Sequence, residues 1–121
     1  MSRIDELNRI LRSLQSGTPE VEAAALISED GLVIASVLPQ HVEEVRVAGM
    51  SATLLSLGTR AAAELGRGSL DQVLIRGDHG YVLMVNAASG TLLLVLATQE
   101  AKLGLIFLET KRAVADVQKV L

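Results

Sequence analysis

The chain has 121 residues, 50% of them apolar and 21% charged, the composition of one globular domain able to bury a single core without cross-links. It has no cysteine, which excludes disulfides, thiolate metal sites and thiol nucleophiles. Eleven basic against fourteen acidic residues give a net charge of −3, the wrong sign for a dedicated nucleic-acid binder, and one Phe, one Tyr and no Trp leave no platform for stacking bases.

Ser2 to Ser16 reads as an amphipathic helix. Ser2 caps it, with Asp5 three residues on, and Ile4, Leu7, Ile10, Leu11 and Leu14 recur on one face before Gly17 and Pro19 end it. Val21 to Ser28 and Leu32 to Leu38 are apolar runs separated by Glu29-Asp30-Gly31. Asp-Gly between two such runs is a hairpin signal, because both residues accept positive φ. Val33, Ile34 and Val37 decide for strand against the helical leaning of Ala23, Ala24 and Ala25, and Pro39 closes the hairpin.

His41 to Leu65 is a long helix with two apolar stripes. One runs Val45, Ala48, Ala52, Leu55, Ala62, and the other Val47, Met50, Leu54, Leu57, Ala61, Leu65. Glu43, Arg46, Thr53, Ser56, Arg60 and Glu64 keep only a narrow polar strip. A helix laid on its own sheet needs one such stripe, so the second needs another partner. Gly49, Ser51, Ala52, Ser56 and Gly58 are small enough to let a neighbouring helix approach, which would account for glycines inside a helix.

Gly66 and Gly68 stop that helix, and three strand-like runs follow: Leu70 to Arg76, Tyr81 to Asn86 and Thr91 to Thr98. The turns between them, Gly77-Asp78-His79-Gly80 and Ala87-Ala88-Ser89-Gly90, are too short for a crossover, so the strands form an antiparallel meander. Thr91 to Thr98 is apolar throughout, as a central strand covered on both faces should be. Lys102 to Leu121 closes the chain as a helix, with Leu103, Ile106, Phe107, Thr110, Val114, Val117 and Leu121 facing inward. The order α-β-β-α-β-β-β-α predicts one α/β (α+β) domain over residues 1–121, a three-layer sandwich around a five-stranded antiparallel sheet. Two helices share one face; the long helix lies alone on the other, with an apolar stripe left for a second copy.

Catalytic chemistry is not evident. Gly66-Arg67-Gly68 follows a helix instead of a strand, the reverse of a phosphate-binding loop, and there is no P-loop. His41 and His79 have no metal spacing, so neither a metal nor a cofactor is expected. Glu29-Asp30 and Glu43-Glu44 read as turn and first-turn acids, and Arg60 and Arg67 as charged rim. The protein is not expected to be an enzyme. Its mean hydropathy of +0.41 is high. Yet the longest charge-free apolar run, Leu92 to Ala97, is far short of the ~18 residues of a membrane span. The opening Met1-Ser2-Arg3-Ile4-Asp5-Glu6 is unlike a secretory signal, so a cytoplasmic location is expected.

The string Ala24-Ala25-Leu26-Ile27-Ser28-Glu29-Asp30-Gly31-Leu32-Val33-Ile34-Ala35-Ser36 resembles the first hairpin of Roadblock (dynein light-chain type) domains. Ala61-Ala62-Ala63-Glu64-Leu65-Gly66-Arg67-Gly68-Ser69-Leu70 is similar to their second helix running out through Gly-x-Gly, and Ala101-Lys102-Leu103-Gly104-Leu105-Ile106 with Lys111-Arg112-Ala113 to the start of their last helix. The likeness covers the chain in order and is that of a bacterial or archaeal stand-alone member of the gliding-motility type. It implies a profilin-like fold and a homodimer in which the strand after the long helix pairs with its copy and the long helices pack side by side. On this chain that surface is Val47, Met50, Leu54, Leu57, Ala61, Leu74 and Arg76. Such domains act as platforms for small Ras-like GTPases or as adaptors. The partner is expected over the paired helices, at Arg46, Thr53 and Arg60. The chain stops at Leu121, flush with the last helix, so a C-terminal extension such as some gliding-type members carry is not expected.

The leading expectation is thus a dimer that binds a Ras-like GTPase and modulates its nucleotide state or location. An adaptor homo- or heterodimer without GTPase regulation is the alternative. A small-ligand sensor ranks third, since no convergent polar groups inside an apolar cleft can be named from the sequence.

Overall fold

The computed structural model describes residues 2–88 and 90–121. Met1 and Ser89, the latter part of the expected turn after Ala88, lie outside the described residues. The elements follow the expected order: α1 Arg3–Gly17, β1 Val21–Ser28, β2 Val33–Val37, α2 Glu44–Glu64, β3 Gln72–Gly77, β4 Gly80–Ala88, β5 Thr91–Ala97 and α3 Leu103–Val120. The strands form one antiparallel sheet in the order β2-β1-β5-β4-β3. α1 and α3 pack together on one face and α2 lies alone on the other.

Local chemistry accounts for these elements. The Ser2 hydroxyl accepts the Asp5 N–H at 3.1 Å and the Asp5 carboxylate accepts the Ser2 N–H at 3.4 Å, a reciprocal cap at the start of α1. Leu7, Leu11 and Leu14 then enter the core, while Ile4 in the first turn stays exposed. β5 is central and alternates between two cores: Leu93, Val95 and Ala97 meet α1 and α3, whereas Leu92 and Leu94 meet α2. The first core is the larger, and α2 covers only a small one.

Two local expectations change. In the β1–β2 hairpin Gly31 has φ +85°, but among the described residues no residue other than glycine has positive φ, so Asp30 is not left-handed. The connection is a longer loop: Ser28 accepts the Gly31 N–H and donates its own N–H to Leu32, a turn followed by one left-handed glycine. The long helix starts at Glu44 instead of His41, because Val42 N–H is taken by the Pro39 carbonyl in a preceding turn. Its end is as expected. Gly66 at φ +69° lets its own N–H reach the Ala63 carbonyl and the Arg67 N–H reach that of Ala62, satisfying carbonyls the helix leaves open.

Candidate interaction surface

α2 is alanine- and leucine-rich and helical for 21 residues, yet it fully buries only Ala48 and Ser51. Leu55 and Val47 pack partly against the small core beneath it. Val45, expected to face inward, is 86% exposed, and Ser51, expected to face a neighbouring helix, faces this sheet. Gly58 is likewise used within the chain: a Cβ there would lie 3.0 Å from Val73 and 3.3 Å from Leu70. Gly49 receives the hairpin turn, with its Cα 3.4 Å from where a Gly31 Cβ would stand. At Ser51 and Gly58 a small residue lets the helix sit close to its own sheet, whereas Gly49 and Ser56 stay exposed.

The outer stripe remains uncovered. Met50, Leu54, Leu57 and Leu65 are exposed large apolar residues, and Ala61 between them is exposed as well. Successive 100° steps around the helix put Leu54, Ala61 and Leu65 on the flank of α2 that carries Gly58, the residue touching Val73 of β3, with Met50 and Leu57 on the outer crest, where Leu57 also borders a cleft on the other flank. Val47, named with the stripe, belongs instead to its inner margin.

β3 lies at the sheet edge and is exposed from Leu74 to Gly77. Directly paired residues share a face, so the register assigns its side chains. Leu74 pairs with Leu83 and Arg76 with Tyr81, both in the α1–α3 core, whereas Val73 pairs with Met84 of the α2 core and Ile75 follows on that face. Leu74 and Arg76 therefore share the edge strand but point away from α2, and the Arg76 guanidinium stacks 5.9 Å from the Tyr81 ring centre. Ile75, not singled out in the sequence, joins Val73 on the α2 side of β3, and unlike Val73 it is exposed. Only the β3–β4 register reveals it.

Of the three polar positions, Thr53 and Arg60 line one open cleft of about 510 Å³ on the other flank of α2, opposite Glu29 and Asp30 of the hairpin turn. Thr53 donates to the Gly49 carbonyl at 2.9 Å, and Arg60 lies 3.5 Å from Glu64. Arg46 is outside the cleft, 3.5 Å from Glu43 in an exposed pair. Such exposed pairs contribute little to stability and leave the cations available to a partner. Glu44 accepts from Ser36 at 2.7 Å, tying the helix start to β2. Among the described residues no group of three or more His, Cys, Asp and Glu is placed to hold a metal ion, and no helix is long and apolar enough to cross a membrane.

The profile of the Roadblock/LC7 domain matches residues 7–97, from the core face of α1 to the end of β5. The chain belongs to the Roadblock/LC7 domain family. Among its relatives, the uncharacterized protein MJ1340 of Methanocaldococcus jannaschii is 38% identical over 112 residues, 93% of this chain and 96% of its own. A Roadblock/LC7 domain from Streptomyces avermitilis superposes with a TM-score of 0.85 at 30% identity, over 91% of this chain and 92% of that one. MglB of Myxococcus xanthus gives a TM-score of 0.90 at 19% identity, over 99% and 90%, a likeness of fold. The Roadblock architecture is thus the one derived above, with α2 and β3 at its open side.

Proposed function

We propose that this Roadblock protein is a homodimeric module that binds a small Ras-like GTPase and modulates its nucleotide state or location. The dimer rests on one observation: a 21-residue helix with an exposed apolar stripe lies beside an exposed edge strand. An edge strand with Leu74 and Ile75 exposed, no proline and a single charge, Arg76, invites strand pairing. A two-fold partner pairing β3 with β3 covers that edge and brings the two α2 stripes together in the same act. The paired helices would then present Thr53, Arg60 and Arg46 on one surface, fit for holding a partner. Family membership supports the Ras-like GTPase as that partner.

Regulation requires different affinities for the two nucleotide states of the GTPase, because a platform that binds both equally shifts nothing. The test is co-purification with the Ras-like GTPase of the same genome, followed by titration of its GDP and GTP-analogue forms. A difference in affinity supports regulation. Equal affinity leaves a scaffold, and absence of binding refutes the GTPase reading.

A further inference from the structure

Charge is divided unevenly over this chain. Residues 2–17 and 102–121, which form α1 and α3 with their caps, hold seven of the eleven basic residues and four of the fourteen acidic ones, a formal charge of +3. The remainder has four basic against ten acidic residues, a formal −6. Both helices lie on the sheet face opposite α2, so a chain that is acidic as a whole has one basic layer.

The outer face of α3 concentrates this charge around apolar side chains. Steps of about 100° per residue set Leu105, Leu108, Lys111, Arg112, Ala115 and Lys119 on one arc, opposite the buried Ile106, Thr110, Ala113 and Val117. All six are exposed, Leu105 at 43% and Leu108 at 47%, and no acid interrupts them. Glu109 and Asp116 lie on the margin of the arc, where Glu109 meets Arg112 at 3.0 Å. Among the described residues Lys111 and Lys119 make no ion pair. On the α1 side, Arg9 and Lys119 line one cleft of about 450 Å³ between the helices, with Asp116 the one acid among its lining residues. Arg12, three residues on from Arg9, is exposed as well. The cations of α1 therefore adjoin those of α3.

We propose that the outer face of α3, with the adjoining cations of α1, docks this protein peripherally on an anionic phospholipid surface. Leu105 and Leu108 enter the headgroup layer, and Lys111, Arg112 and Lys119 meet lipid phosphates. Apolar side chains set among lysines and arginines on one helix face are the chemistry of a helix lying in such an interface. An acidic protein helix would instead need a groove of apolar anchors, whereas these leucines stand on an outward crest. Cations spread over two adjacent helices also match a broad sheet of phosphates better than they match one peptide. The face uses neither the α2 stripe nor the edge of β3, and each chain carries it whole. Where β3 pairs with its copy in one continuous sheet, the two basic layers would share one side of the dimer and the two α2 helices the other, turned away from the lipid.

The test is co-sedimentation of the full chain with vesicles of phosphatidylcholine alone and of phosphatidylcholine mixed with phosphatidylserine. Binding should occur on the mixed vesicles, be absent on the neutral ones and fall as salt is raised. A cation at such a surface is worth about five-fold in affinity, so Lys111→Glu with Lys119→Glu should weaken binding at least about 25-fold. Leu105→Gln with Leu108→Gln should weaken it while keeping the preference for phosphatidylserine. All four positions are exposed, and circular-dichroism melts matching the parent establish that the variants are folded. No binding to the mixed vesicles, equal binding to neutral ones, or undiminished binding by either variant would overturn the proposal. Binding of polyglutamate without binding of vesicles would overturn it in favour of an acidic protein partner. Sedimentation velocity without lipid reports the dimer separately, so a monomeric chain that prefers phosphatidylserine refutes the dimer and leaves this face standing.

Discussion

Leu57→Arg separates the fold from the dimer. Leu57 is 57% exposed in the isolated chain, in the middle of the α2 stripe. Fully burying a leucine contributes about 1.5–3 kcal/mol, so roughly 1–1.5 kcal/mol per copy is left to be gained on association. A two-fold interface contains the position twice, so truncation alone costs about 2–3 kcal/mol, roughly a 30- to 150-fold weaker dissociation constant. Two guanidinium groups brought into an apolar contact add desolvation and mutual repulsion to that loss. Within one chain the side chain points to solvent, and surface changes usually stay within about 0.5 kcal/mol. Sedimentation velocity over a range of concentrations should therefore show a dimer for the parent and a monomer for the variant, with superimposable circular-dichroism melts. A variant that dimerises as tightly as the parent, or a parent that sediments as a monomer at its highest soluble concentration, would refute the reasoning.

Other substitutions test the packing. Thr110→Val removes a buried hydroxyl without a partner and should raise stability by about 1 kcal/mol, seen as a higher melting temperature. Gly80→Ala would place a Cβ 2.3 Å from the Ala97 carbonyl oxygen at φ +145°, and should cost at least about 2 kcal/mol in a urea titration. An unchanged midpoint there would mean the β4–β5 contact is looser than described. Ser2→Ala dismantles the reciprocal cap of α1 and should cost about 1 kcal/mol, read as faster amide exchange in the first turn of α1.

Most of the architecture was legible because turn and cap chemistry is local. Ser2 with Asp5, the Asp30-Gly31 loop, Pro39 and the Gly66–Gly68 stop mark element ends whatever the rest of the chain does. The side to which residues point was harder to read. Apolar character points Val45 inward and small size points Ser51 and Gly58 outward, yet Val45 is exposed while Ser51 is buried and Gly58 sits against Val73 and Leu70, where a Cβ would crowd them. The resemblance brings in Leu74 and Arg76 through the strand that pairs with its copy; their facing depends on partners in β4, which a single run of residues does not encode. Thr110 was correctly turned inward, but its missing partner is a property of the space between two elements. Ala113, buried in α3, is hard to read from the sequence because an alanine adds little to a hydrophobic pattern.

The two borders of the sheet are unequal. β2 has five residues, each at least partly buried, with Pro39 soon after it, whereas β3 is exposed over most of its length. The proposed association through β3 about a two-fold axis would consume the open border on both chains and leave only the short, sheltered ones outside. Growth by strand addition then terminates at a pair. If the proposed dimer forms, closure of this kind would give a discrete particle instead of a fibre built of the same contact.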